Sequence, residues 1–160
     1  MEESVALELI QAETAGQLEL IRSLFKEYER AIGVDLCFQN FAEELATLPG
    51  RYAPPDGRLY ICVVGGDPVG CVALRRVDHE SGEMKRLYLR ERYRGSGYGK
   101  RIARKILDQA RVIEYRRVVL DTLPGMLEAQ GIYASLGFKA IAPYAFNPIP
   151  GVCYLEMVFG

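Results

Sequence analysis

The chain has 160 residues, 49% hydrophobic and 26% charged, with a formal net charge of −1. That length suits one domain with a real core, and the composition excludes disordered and fibrous classes. No apolar run approaches the roughly 18 residues of a bilayer span, and the acidic Met1-Glu2-Glu3-Ser4 lacks the basic-then-apolar pattern of a secretory leader, so a cytoplasmic location is expected.

In chain order, residues 4–10 alternate as a strand. Leu18, Ile21, Phe25, Tyr28 and Ile32 then recur at helical spacing from Gly16 onward, and Gly33 stops that helix. Residues 40–48 read as a short helix ended by Pro49-Gly50. After the loop Pro54-Pro55-Asp56-Gly57, residues 58–64 and 69–77 form a hairpin around Gly65-Gly66-Asp67-Pro68. A turn at 78–82 leads to a strand at 83–89. Residues 99–115 place Ile102, Ala103, Ile106, Leu107, Ala110 and Ile113 on one face of a helix. A short buried strand at 117–121 follows, then a helix that Pro124 opens and Gly137 caps. Strands at 138–142 and 152–159 flank Asn147-Pro148-Ile149-Pro150-Gly151. The order β-α-α-β-β-β-α-β-α-β-β predicts an α/β fold, a mixed sheet flanked by helices, as a single domain over residues 1–160.

Cys37, Cys62, Cys71 and Cys153 are widely spaced without a C-x-x-C pair, which favours reduced thiols over disulfides or zinc. His79 is the only histidine and sits in a turn, so no metal site is expected. The net charge conceals an asymmetry. Residues 1–50 carry 10 acidic and 3 basic side chains, whereas residues 83–105 carry 9 Lys/Arg against 2 Glu. The basic cluster calls for an anion.

The anion is suggested by Arg92-Tyr93-Arg94-Gly95-Ser96-Gly97-Tyr98-Gly99-Lys100, between a predicted strand and a predicted helix. Three glycines at alternate positions let the backbone turn tightly and present several N–H groups to one point, at the positive end of a helix dipole. This is a phosphate cradle. It is not a Walker loop, because Gly95 and Gly99 enclose only three residues and Arg101 follows Lys100. It is not the dinucleotide fingerprint either, since the third glycine comes one residue early and the loop does not follow the first strand.

Arg94-Gly95-Ser96-Gly97-Tyr98-Gly99 fits R-x-x-G-x-G, and here the chain resembles the GCN5-related N-acetyltransferase (GNAT) family. Glu83-Met84-Lys85-Arg86-Leu87-Tyr88-Leu89 is similar to that family's central strand. Ala129-x-x-x-Tyr133-x-x-x-Gly137-Phe138 is similar to its later helix and Gly-Phe turn. The resemblance covers nearly the whole chain. It implies the acyl-coenzyme A N-acyltransferase fold, with a mostly antiparallel central sheet, and acetyl-coenzyme A as acyl donor without a metal. It implies that the backbone of Leu87 and Leu89 pairs with the pantetheine arm, while Arg94, Gly95, Ser96, Gly97, Tyr98, Gly99 and Lys100 hold the pyrophosphate. Tyr133 matches the tyrosine that protonates the departing thiolate in many members. Met126 is a departure, because many members carry an asparagine there, and methionine offers no such side-chain contact.

The chemistry asks for the same parts. An attacking amine must shed a proton, an oxyanion needs an N–H donor such as one near Leu89, and the thiolate benefits from an acid. Glu83 is the candidate base or water-holder, with a simple pairing to a neighbouring Lys or Arg as the alternative. Asp121 is a weaker candidate and could instead cap the following helix. Tyr133 shares a helical face with Met126, Ala129 and Leu136, so a plain core role is its alternative. The resemblance places the acceptor between residues 33–41 and 144–151, which supply Asp35, Phe38, Gln39, Tyr144 and Asn147. The expected function is transfer of an acetyl group to a primary amine of a small molecule, peptide or protein, by direct attack in a ternary complex. A non-catalytic acyl-coenzyme A-binding sensor or interaction module is the alternative. Nucleic acid is not an expected partner, because the basic cluster lacks an aromatic stacking stripe. Neither is a membrane, and a homodimer stays open.

Overall fold

The computed structural model describes residues 6–37 and 40–160. Among them seven strands form one sheet: β1 (Leu7–Gln11), β2 (Arg58–Val64), β3 (Asp67–Arg76), β4 (Ser81–Leu89), β5 (Arg117–Thr122), β6 (Lys139–Ile141) and β7 (Cys153–Val158). The helices are α1 (Ala15–Ile32), α2 (Phe41–Ala46), α3 (Tyr98–Ile113) and α4 (Leu127–Leu136). The spatial order is β1-β2-β3-β4-β5-β7-β6, and only β4 and β5 run parallel. The predicted mixed, mostly antiparallel α/β architecture is the one observed.

Local chemistry explains the boundaries. Thr14 and Gln17 form a reciprocal capping box at the start of α1, and Gly33 closes its other end in the left-handed region at φ 68°. Gly137 does the same for α4 at φ 99°. Pro124, by contrast, does not open α4. The helix starts at Leu127, and Leu123 O accepts from Met126 N in a turn whose second residue is the proline. Strand pairing extends β4 back to Ser81, two residues before the predicted start. The predicted first strand begins at residue 4, outside the described residues.

The sheet separates two apolar layers. On one face, Ile21, Leu24 and Phe25 of α1 and Phe41 of α2 pack on Leu59, Ile61, Cys71 and Ala73. On the other, Ile102, Ala103, Ile106 and Ala110 of α3 and Tyr133 of α4 pack on Cys62, Val72, Leu74, Val118 and Leu120. Fully burying each large side chain stabilises the fold by about 1.5–3 kcal/mol.

Two irregularities in β4 shape its centre. The first is a bulge: between the pairs Cys71↔Tyr88 and Ala73↔Lys85, β4 spends one more residue than β3. Arg86 absorbs it with φ 60°. Alternation would have sent Arg86 toward α3. The bulge instead turns it to the α1–α2 side, where it binds Glu44 of α2 through Nε (3.0 Å) and a second guanidinium nitrogen (3.1 Å). Its guanidinium lies 5.4–6.0 Å from the ring centres of Phe41, Tyr28 and Phe25. The second irregularity is a splay. β4 and β5 pair only from Ser81↔Arg117 to Glu83↔Val119, so beyond Glu83 the strands diverge and leave a gap through the sheet.

Ion pairs also tie the acidic N-terminal third to the basic central strand. Glu44 meets Arg86, and Glu27 of α1 meets Arg90 just past β4 through two bonds of 2.8 and 3.0 Å. Part of the charge asymmetry is therefore the docking of α1 and α2 onto β4.

Candidate active site

The glycine loop lies where the sequence places it, between the end of β4 and α3. Gly95 and Gly97 adopt φ 83° and 84°, a region costly for residues bearing a Cβ, and Gly97 is the N-cap of α3. Neither would meet a neighbour through an added Cβ, so their requirement is conformational. Gly99 differs, because a Cβ there would lie 3.0 Å from Ile132 Cδ1 of α4. It allows α3 and α4 to pack closely. Among the described residues no side chain caps the first turn of α3, which carries no acidic residue, so the amides of Tyr98, Gly99 and Lys100 sit at the positive end of the helix. Residues 94–97 are exposed. Arg94 reaches back from this loop, its Nε donating to Leu89 O at 2.8 Å.

A cleft opens at the splay, lined from both faces of the sheet by residues such as Tyr28 and Tyr133. Its wall includes Lys85 and Leu87 of β4, Asp121 at the end of β5, Tyr133 of α4, Tyr28 of α1, and Asn147 of the β6–β7 connection. The unpaired side of β4 beyond Glu83 forms one edge. Extended backbone groups beside a phosphate cradle fit an arm with amide groups joined to a pyrophosphate, as in coenzyme A. Among the described residues, no group of three or more His, Cys, Asp or Glu stands at metal-binding distances, and no helix is long and apolar enough to cross a membrane.

Tyr133 is 6% exposed and its ring packs on Phe138 at 5.6 Å between centroids. Core packing and cleft lining thus coexist in one side chain. Among the described residues its hydroxyl has no hydrogen-bond partner. Burial raises its pKa above the ordinary tyrosine value, with Tyr28 and Asp121 adding smaller pushes in the same direction. The phenol is therefore protonated at any physiological pH.

Glu83 stands apart from the cleft wall, in the paired base of β4. Arg75 Nε donates to one oxygen at 2.8 Å and the Tyr144 hydroxyl to the other at 2.6 Å. Burial pushes this carboxyl up, but Lys85, Arg75 and Tyr144 outweigh that and hold it below the usual glutamate value. Glu83 is an anchored anion. The carboxylate on the cleft wall is Asp121, which accepts from Asn147 Nδ2 at 3.2 Å. It does not cap α4, whose N-cap is Met126. Lys85 is buried beside Glu83 and its ammonium is pulled below the usual lysine value, burial being the leading cause.

The acceptor-side expectations divide. Asn147 lines the cleft, while Tyr144 holds the same connection down through Glu83. Asp35 is exposed and accepts from the Cys37 amide instead of facing the cleft. Phe38 and Gln39 lie outside the described residues. Lys85 is a cleft residue that sequence reasoning missed as a candidate; a buried-strand lysine two residues from Glu83 was the available signal.

Residues 18–138 match the family model described as Acetyltransferase (GNAT) family. The chain is 38% identical over 146 residues to an uncharacterized N-acetyltransferase of Schizosaccharomyces pombe, covering 88% of this chain and 87% of that protein. It is 34% identical over 100 residues to human N-acetylaspartate synthetase, covering 62% of this chain and 33% of that protein. A GNAT family acetyltransferase from Elizabethkingia anophelis, solved with acetyl-CoA bound, superposes with a TM-score of 0.65 at 16% identity, covering 99% of this chain and all of that one. That last likeness is one of fold.

Proposed function

The chain belongs to the GNAT acetyltransferase family, and from that premise we propose that it moves the acetyl group of acetyl-coenzyme A to a primary amine by direct attack within a ternary complex. The observation that carries this reading is the splay beyond Glu83, lined by Tyr28 from the α1 face of the sheet and by Tyr133 from the other, with Asp121 and Asn147 on its wall and the glycine loop following the same strand. Donor and acceptor can enter from opposite faces and meet at the gap. Proximity of this kind replaces a covalent enzyme intermediate.

The donor supplies a thioester whose carbonyl is open to a nucleophile. The amides at the start of α3, with Arg94 and Lys100, would hold its pyrophosphate, and the free edge of β4 at Leu87 and Leu89 would align its pantetheine arm. Arg94 already occupies Leu89 O, so it would exchange that carbonyl for phosphate oxygen. The amine loses its proton to solvent beside Asp121 and forms the new C–N bond. As the C–S bond breaks, the sulfur takes the proton of Tyr133, whose phenol then recovers one from solvent. Glu83 acts on this arrangement as a positioning residue, holding Tyr144 and setting the field around Lys85.

A thermal-shift titration tests the donor half. Millimolar acetyl-coenzyme A raises the melting temperature if the reading is right, because a ligand at 100 times its Kd contributes about 2.7 kcal/mol. An unchanged melting temperature refutes it. Binding without thiol release over an amine panel would favour the sensor reading instead.

A further inference from the structure

Resting on the acetyltransferase reading, we propose that Asp121 is a catalytic residue, the base whose Oδ1 takes a proton from the attacking nitrogen. The basis is a contrast among the carboxylates packed around β4. Glu27 is held by Arg90 and by the Tyr88 hydroxyl. Glu44 is held by Arg86 and by the Tyr52 hydroxyl. Glu83 is held by Arg75 and by the Tyr144 hydroxyl. Each of the three has both oxygens occupied by one arginine and one tyrosine. Protonating any of them would strand a partly buried guanidinium.

Asp121 has neither kind of partner. It is half-buried on the cleft wall near the end of β5, and no described residue forms an ion pair with it. Its one hydrogen bond among the described residues comes from Asn147 Nδ2, 3.2 Å from Oδ2. That donor is itself aimed. Asn147 Oδ1 accepts from Ile149 N at 3.0 Å, which turns Nδ2 toward Asp121. The connection carrying it is pinned by Tyr144 on Glu83 and by the Tyr154 hydroxyl on Ala145 O at 2.9 Å. Oδ2 is thus fixed while Oδ1 keeps its capacity for a proton. After burial and Tyr28, Asp121 is the next influence that raises the Tyr133 phenol, so base and acid share one field in the same cleft.

The protons balance. An acceptor arriving as an ammonium gives its first proton to solvent, and the neutral amine attacks the thioester carbonyl. Forming the C–N bond leaves the nitrogen positively charged and its N–H acidic. Asp121 Oδ1 takes that proton as the carbonyl re-forms and the C–S bond breaks, and the sulfur takes the proton of Tyr133. Asp121 is then a carboxylic acid and Tyr133 a phenolate. Solvent carries the proton from the first to the second, which restores both. A carboxylate suits this step because a nitrogen already bonded to the tetrahedral carbon is a far stronger acid than a free ammonium.

The test follows thiol release from acetyl-coenzyme A with spermidine, tyramine, aspartate and glycylglycine as acceptors, the fastest of them serving for the variants. Asp121→Asn keeps the shape and can still accept from Asn147. It should lower kcat by about 100-fold with the acetyl-coenzyme A Kd unchanged. Asp121→Ala opens room for a small carboxylate, and added formate should raise its kcat by about 10-fold while leaving wild type unaffected. A purely structural role would not respond to formate, so this arm decides the matter even where Asp121→Asn lowers the melting temperature. An Asp121→Asn protein with kcat within about twofold of wild type overturns the inference. So does an Asp121→Ala protein that formate leaves unchanged. In both cases wild-type turnover keeps the acetyltransferase reading intact. A wild-type protein that fails to bind acetyl-coenzyme A, or binds it and releases thiol with none of the amines, sinks the reading beneath.

Discussion

Tyr133→Phe removes one oxygen and leaves untouched everything the fold uses at that position. The ring keeps its contact with Phe138, and the bond from Phe138 N to Tyr133 O, 3.1 Å, belongs to the backbone. Because the hydroxyl has no hydrogen-bond partner among the described residues, its loss should change stability by less than about 1 kcal/mol. For a chain of this size that is a melting-temperature shift within about 4 °C. Turnover should respond differently. A positioned acid contributes about 10²–10⁴-fold. Burial holds the Tyr133 hydroxyl above the ordinary 10.0, so donation to a thiolate with a pKa near ~8.5 runs uphill. The loss in kcat therefore belongs at the lower end, about 100-fold, equivalent to about 2.7 kcal/mol of transition-state stabilisation. Thiol-release kinetics give kcat, calorimetry gives the acetyl-coenzyme A Kd, and a thermal scan checks the fold. A variant with kcat within about twofold of wild type removes Tyr133 from the chemistry. A large drop in melting temperature would show that the hydroxyl is structural, against the geometry.

Gly97→Ala places a Cβ at φ 84° on the N-cap of α3 without any steric clash. The left-handed conformation then costs about 1–2 kcal/mol, which the loop can relieve only by turning its amides away. Calorimetry should show acetyl-coenzyme A binding weakened by about 10-fold; an unaltered Kd would mean the amides there do not hold the pyrophosphate. Glu83→Gln probes the anchored anion. Its folded-state pKa is depressed, so its stabilisation is fully present above the unfolded value and is lost as pH falls through the folded one. The difference in unfolding free energy between wild type and this variant, read from denaturant titrations, should be large at pH 7, on the order of 3 kcal/mol, and should shrink below about pH 4.5. A constant difference down to pH 3 would contradict the depressed carboxylate.

What could be read from the sequence was what short stretches of chain decide by themselves. Apolar spacing marked α1 and α3, Gly33 and Gly137 marked helix ends, and the glycine run marked the tight loop into α3, because each depends on neighbours within a turn or two. The order of the elements and the match of two motifs carried the fold. Pro124 misled because a favourable first-turn residue does not compel a helix when the chain is still turning.

The chemistry inside the cleft was decided only by tertiary structure. Lys85 and Asp121 stand 36 residues apart in the sequence, and no local pattern says that β4 and β5 part just beyond Glu83. Glu83 read alone is a strand-end carboxylate available to act as a base. Folding brings it Arg75 across the hairpin and Tyr144 from 61 residues away, which occupies both its oxygens. The acidic first third had no visible purpose until Glu27 and Glu44 met Arg90 and Arg86 across 63 and 42 residues. Pairings at such separations depend on strand register, on one bulge and on which face each side chain takes. Alternation along β4 would have sent Arg86 to the wrong side of the sheet.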